Sequence, residues 1–224
     1  MSRPHDMGGR FGDGPVVPEA EDVKFHADWH QRALALTLAA GSLGKWNIDV
    51  SRHARECLPP KDYTAFSYYE KWMGGLAALL VQTGVLSVEE LAGKSKAEIS
   101  ALADKKLTAE QVAAVLAKGG PADRKSDVAP LFKVGDAVKT RRLAQNTFVA
   151  GGHTRLPTYA AGAKGRIERY HGTHVFPDSN AHGLGEAPEP LYAVVFPASE
   201  LWQHPEHPRD EVVLDLWQSY LEPL

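Results

Sequence analysis

Three groups of residues in this chain carry side chains suited to chemistry. Arg52 and Glu56 lie four apart with Arg55 beside them. On a helix Arg52 and Glu56 share a face and can pair, and by itself such a pair is a surface contact worth under about 1 kcal/mol. Tyr68 and Trp72 are also four apart. They would form one aromatic wall with a phenolic hydroxyl at its edge, an arrangement that more often packs a core than lines a pocket. The third group is His153-Thr154-Arg155, shortly upstream of a loop rich in His, Gly, Pro and acidic residues. Within that loop His171, His174 and His182, with Asp178 and Glu186 nearby, read either as a metal site or as a hydrogen-bonded loop. The spacing His171-x-x-His174 lacks the i, i+4 geometry of a helical zinc pair, and no cysteine assists, so the hydrogen-bonded loop is the stronger reading. P-loop, dinucleotide and G-x-S-x-G signatures are all absent from the sequence.

The elements that must position these residues follow in chain order. Residues 1–24 are rich in Gly, Pro and charge and read as an extended arm that a partner would order by burying Met7, Phe11 and Val16. Phe25, Trp29, Ala33, Leu36 and Ala40 recur at helical spacing, closed by Gly41. Pro59-Pro60 interrupts the segment that carries Arg52 and Glu56. The strongest helical run follows, TAFSYYEKWMGGLAALLVQTG, apolar on two faces and so expected to bury both, one of them against another subunit. Three capping-box signatures come next, Ser87-x-x-Glu90, Ser95-x-x-Glu98 and Thr108-x-x-Gln111.

A polar linker at residues 120–130 ends the helical pattern. Beyond it, LFKVGDAVKTRRL, GAKGRIERYHG, EPLYAVVFPASELW and DEVVLDLWQSYL read as short strands between Gly and Pro turns. The expected fold is α+β: an N-terminal extended arm (1–24) and a helical domain (25–119), then the linker and a small SH3-like β-barrel (131–224). The basic run Lys139 to Arg142 reads as a solvated strand edge.

Composition narrows the function classes. The 224 residues are 43% apolar and 24% charged, which excludes wholesale disorder. A net charge of −3 and a pI near 6.4 argue against a general phosphate-backbone binder. The single cysteine, Cys57, forbids an intrachain disulfide, fits a reducing compartment and reads as a buried, inert thiol. The N-terminus lacks a signal-peptide core and no stretch approaches the roughly 20 apolar residues of a membrane span, so a cytoplasmic protein is expected.

The chain resembles the β subunit of nitrile hydratase along its length. HDMGG at His5 to Gly9 is similar to that family's opening arm, LPPKDYTAFSYYEKW to its active-site helix and KVGDAVKT to the start of its barrel; HGTHVFPDSNAHGLGEAPEPLYAVVFPASELW is the most specific match. The resemblance implies an enzyme that adds water to nitriles to give amides, working as an obligate α-β pair, with α2β2 the expected assembly. A cobalt(III) or iron(III) ion would be held by oxidised cysteines and backbone nitrogens of the α subunit, not by this chain. By the same resemblance Arg52 and Arg155 hold the oxidised cysteine oxygens, Tyr68 faces the substrate and Trp72 walls the pocket. Glu56 and His153 belong to a hydrogen-bond network behind the metal. Tryptophan at position 72 goes with cobalt enzymes. Lys71 stands where some relatives have a network histidine, and Ile48 and Ser51 differ from bulkier pocket residues of relatives, which implies an altered substrate preference. Rival readings are a related metallochaperone or activator, which would lack the barrel, and an SH3-like RNA-binding module, which the acidic charge disfavours.

Overall fold

The computed structural model describes residues 4–6, 17–95 and 99–224. The arm residues Met7, Phe11 and Val16, most of the HDMGG motif and the capping box ending at Glu98 lie outside these described residues. Two compact units are present: residues 17–120 with Pro4 and His5, and residues 121–224 with Asp6.

The first unit is helical: α1 (Asp28–Gly41), α2 (Ile48–Glu56), α3 (Pro60–Ala65), α4 (Tyr68–Gln82), α5 (Val88–Leu91) and α6 (Ala109–Lys118). Each start has a local cause. The Asn47 side chain accepts hydrogen bonds from the backbone of Asp49 (3.0 Å) and Val50 (2.9 Å) to open α2. Pro60 supplies the preset φ at the first position of α3. The run expected to be one helix is broken at Phe66, which is extended, because Ser67 leaves the helix to cap α4 in a capping box with Glu70. The boxes at Ser87 and Thr108 open α5 and α6.

Both α1 and α2 pack on α4. A β-carbon at Gly75 would fall 2.7 Å from Cγ of Arg55, so only glycine lets α2 lie this close. The buried apolar side chains of this unit are few among the described residues: Ala33, Leu76 and Leu79. Of the residues that recur at helical spacing in α1, Ala33 is buried while Trp29 and Leu36 are exposed. Cys57 is also exposed, contrary to the expected buried thiol, because it caps the end of α2 instead of pointing into the α2–α4 seam.

The second unit carries β1 (Ala137–Thr140), β2 (Lys164–His174), a short helix α7 (Pro177–Asn180), β3 (Glu189–Pro197), α8 (Ala198–Leu201), β4 (Glu211–Trp217) and β5 (Leu221–Pro223). The strands form one antiparallel sheet in the order β4-β3-β2-β1-β5. Its ladder is open, with β4 and β5 as edges, and does not close into the expected SH3-like barrel. The Lys139–Arg142 run is not a strand edge: β1 lies between β2 and β5, and Thr140 is fully buried. Val138, Ile167, Tyr192, Phe196, Leu216 and Tyr220 anchor a well-filled core. The strand β2 runs past the expected GAKGRIERYHG to His174, which shortens the histidine-rich loop to the segment around α7.

Candidate active site

In the helical unit, α2 and α4 bound a cavity of about 290 Å³. Arg52, Arg55 and Glu56 line it from α2, and Tyr68, Lys71 and Trp72 from α4. Tyr63 and His5 complete the lining, with their rings edge-on 6.0 Å apart. The i, i+4 pair Tyr68 and Trp72 forms the expected wall, with ring centroids 5.4 Å apart, and Tyr68 is 64% exposed.

Arg52 pairs differently from the sequence expectation. Its guanidinium donates to Asp49 (2.8 Å), one turn back on α2, and not to Glu56. Asp49 is buried, so the contact anchors the guanidinium, through Nη1, of an arginine whose side chain stays 42% exposed. Glu56 instead faces His53, whose Nδ1 lies 3.5 Å from its carboxylate, while the other ring nitrogen lies 3.5 Å from Sγ of Cys57. Hydrogen bonding to Cys57, and then to Glu56, pushes the His53 imidazole up to about 9 against the opposing effect of burial.

Arg55 stacks on the Trp72 ring with its guanidinium carbon 4.5 Å from the ring centroid, and donates to the Ser51 hydroxyl at 2.8 Å. Burial lowers its pKa. Lys71 sits with its ammonium 4.5 Å from the Tyr63 ring centroid. Burial, and then the Glu56 carboxylate, raise the Tyr63 phenol. Ser51 is buried behind Arg55, and Ile48 is exposed at the start of α2, outside the cavity lining.

His153 and Arg155 belong to the other unit, in a loop ahead of β2 whose main chain is tied down from several sides. The backbone N–H of His153 donates to Nε2 of His182 (3.0 Å), and its carbonyl accepts from the Asn146 amide (2.6 Å). That amide also reaches the Asp178 carbonyl at 2.7 Å. A β-carbon at Gly152 would fall 2.6 Å from Nε2 of His182, so the close approach needs glycine. The Tyr220 hydroxyl accepts from the Arg155 backbone N–H (3.0 Å) and from the Thr154 hydroxyl (3.3 Å), and donates to the Asp178 carboxylate. The Arg155 side chain itself is exposed.

Asp178 is wholly buried, and burial pushes its carboxyl up to about 6 against the Tyr220 and Thr154 hydrogen bonds and Arg141. Thus Asp178, a sequence candidate for a metal ligand, is an acceptor inside the loop clamp. His171 pairs with Asp215 (2.9 Å) and Glu186 with Arg124 (2.7 Å), in keeping with a hydrogen-bonded loop. The sequence reading missed Tyr220, whose partners lie far away in the chain, and Asn146, which joins its own turn and His153 to the distant Asp178. It placed Arg55 only next to the Arg52 face; the Arg55-to-Trp72 stacking follows from the packing of α2 on α4 and has no local signal.

Profiles of known families divide the chain where its composition changes. The N-terminal family of the nitrile hydratase beta subunit matches residues 1–119, and the C-terminal family matches residues 121–223. The chain belongs to the nitrile hydratase β-subunit family. It is 36% identical over 226 residues to the low-molecular weight cobalt-containing nitrile hydratase subunit beta of Rhodococcus rhodochrous, covering 98% of each chain. The nitrile hydratase subunit beta of Pseudomonas putida is 37% identical over 224 residues, covering 100% of both. The cobalt-containing nitrile hydratase subunit beta of Pseudonocardia thermophila is 33% identical over 229 residues, covering 99% of this chain and 96% of that one. Among the described residues no helix is long and apolar enough to cross a membrane.

Proposed function

We propose that this chain is the β subunit of a cobalt-dependent nitrile hydratase, which adds water across R–C≡N to give R–C(=O)NH₂. The observation that carries the reading is the match along the whole length to cobalt-containing β subunits. The donor chemistry agrees with a metal held elsewhere, since one exposed cysteine cannot supply a thiolate cluster. A cobalt(III) ion on the α subunit would act as Lewis acid toward the nitrile or water.

The residues of this chain supply the surroundings. Arg52, its guanidinium anchored at Nη1 by Asp49, and Arg155, its backbone held by Tyr220, offer their remaining guanidinium donors to the oxidised cysteine oxygens of the α subunit. The exposed Tyr68 hydroxyl orients substrate beside the Trp72 wall, and Ser51 and Ile48 shape the approach to it. Glu56 and His153 orient groups behind the metal. The arm wraps the partner, the open sheet serves as a scaffold, and the pair doubles to α2β2 in the cytoplasm. Trp29, Leu36, Ile48 and Tyr68 are exposed on the helical unit, an apolar surface consistent with a partner covering it.

Co-expression with the α subunit, purification and metal analysis test the reading. A stable equimolar complex carrying cobalt and hydrating nitriles is expected. A chain that releases α after metal loading would instead indicate a chaperone.

A further inference from the structure

The cavity between α2 and α4 has a charge imbalance that the hydration of a neutral nitrile does not require. Three cations line it: Arg52, Arg55 and Lys71. Arg52 is compensated by Asp49, and Glu56, the one carboxylate in the lining among the described residues, is turned to His53. Neither Arg55 nor Lys71 forms an ion pair among the described residues. Each instead rests on an aromatic face, Arg55 on Trp72 and Lys71 on Tyr63, which orients the cation without neutralising it. The Ser51 hydroxyl occupies one Arg55 donor and holds the guanidinium plane in place.

Keeping a half-buried guanidinium without a counter-charge costs desolvation energy, which an entering anion would offset. The burial-driven fall in the Arg55 pKa agrees with that cost. The walls around the two cations are aromatic and the space is concave, the form of a small-molecule site with a few convergent polar groups.

We infer that Arg55 and Lys71 are specificity-determining residues that recognise a carboxylate on the substrate, so that the preferred nitriles are cyanocarboxylates. The inference rests on the nitrile hydratase reading and names its substrate class. The carboxylate would accept from Arg55 and Lys71 while the apolar chain lies along Tyr68 and Trp72, which leaves the nitrile end for the metal of the partner subunit.

The test uses the metal-loaded α-β complex and cyanocarboxylates from 3-cyanopropanoate to 6-cyanohexanoate, each paired with its methyl ester. For at least one length the acid should exceed its ester in kcat/KM by tenfold or more, an advantage that shrinks with added salt. Both Arg55→Gln and Lys71→Gln should lower the acid-to-ester ratio at least fivefold, through KM, and Arg55→Lys should keep part of it. Calorimetry should show the acid binding the complex more tightly than the ester. Lys71→Gln, at a residue not stacked in the helix seam, serves if Arg55→Gln fails to fold. Esters matching acids at every length would overturn the inference, as would a ratio unmoved by the substitutions in complexes that keep the α subunit and its metal. If the loaded complex hydrates neither acids, esters nor simple alkyl nitriles, the proposed function itself fails, which is a distinct result.

Discussion

In the roles proposed for Arg52 and Arg155, the shape of arginine would matter as much as its charge. A planar fork can hold two oxygens at once, whereas lysine offers a point charge. Arg52→Lys and Arg155→Lys are each expected to lower kcat about a hundredfold, the scale of losing a preorganised donor to a developing charge. The α-β complex should remain intact by gel filtration; full turnover in both variants would remove these arginines from the mechanism. Tyr68→Phe deletes one exposed hydroxyl and should cost less, about fivefold in kcat/KM, in line with the loss of one hydrogen bond. Unchanged kinetics would make that hydroxyl incidental. For Asp49 the expectation is indirect: Asp49→Asn keeps an acceptor but weakens the grip on Arg52, so activity should fall while metal content holds.

The elements explain why those residues stay where they are. Gly75→Ala would place a β-carbon against Cγ of Arg55, at the point where α2 rests on α4. We expect it to destabilise the chain by about 1–3 kcal/mol in urea unfolding, the usual cost of overpacking. Tyr220→Phe removes the hydroxyl that joins Arg155, Thr154 and Asp178. It should cost about 1–3 kcal/mol of stability and also lower kcat by loosening the Arg155 loop. Stability lost with kcat intact would make the clamp purely structural.

Much of this level was legible in the chain. The capping boxes at Ser87 and Thr108, the break at Pro59-Pro60 and the Tyr68–Trp72 wall are local patterns, and local patterns survive folding. Errors arose where a local pattern met a competitor. Ser67 broke a continuous helical period because its cap with Glu70 outweighed continuation. Arg52 had carboxylates available three residues back and four residues on; the buried one, Asp49, took it, while His53 drew Glu56 away. The position of β1 inside the sheet depends on pairing with β5, a long-range register that no window of sequence contains.

For the whole molecule, two titrating groups contribute to how stability responds to pH. His53 has a folded-state value of about 9 against an ordinary 6.5, so the fold favours its charged form. That contribution is complete below pH 6.5 and is lost as pH rises through about 9. Asp178 stands at about 6 against 3.8, so the fold favours its neutral form. Its contribution is complete below 3.8 and is lost as pH rises through about 6, on the order of 3 kcal/mol. Both groups therefore tilt stability downward with rising pH. Urea unfolding at stepped pH should show Asp178→Asn flattening the slope between pH 4 and 6, and His53→Gln flattening it between about 6.5 and 9. Slopes unaltered by either change would mean that other groups dominate.

The Tyr220 clamp also imposes a timetable on biosynthesis. The backbone N–H of Arg155 is held by a hydroxyl 65 residues further along the chain, so that loop cannot reach its final form until residue 220 has left the ribosome. A nascent chain that meets its partner early would present the helical unit first, with the second arginine still unplaced. Pairing that depends on both arginines would thereby be confined to chains whose final strands have formed, a proofreading step that uses no other factor. Ribosome-bound chains halted before residue 220 should accordingly capture the α subunit less firmly than released ones, and equal capture would remove this ordering.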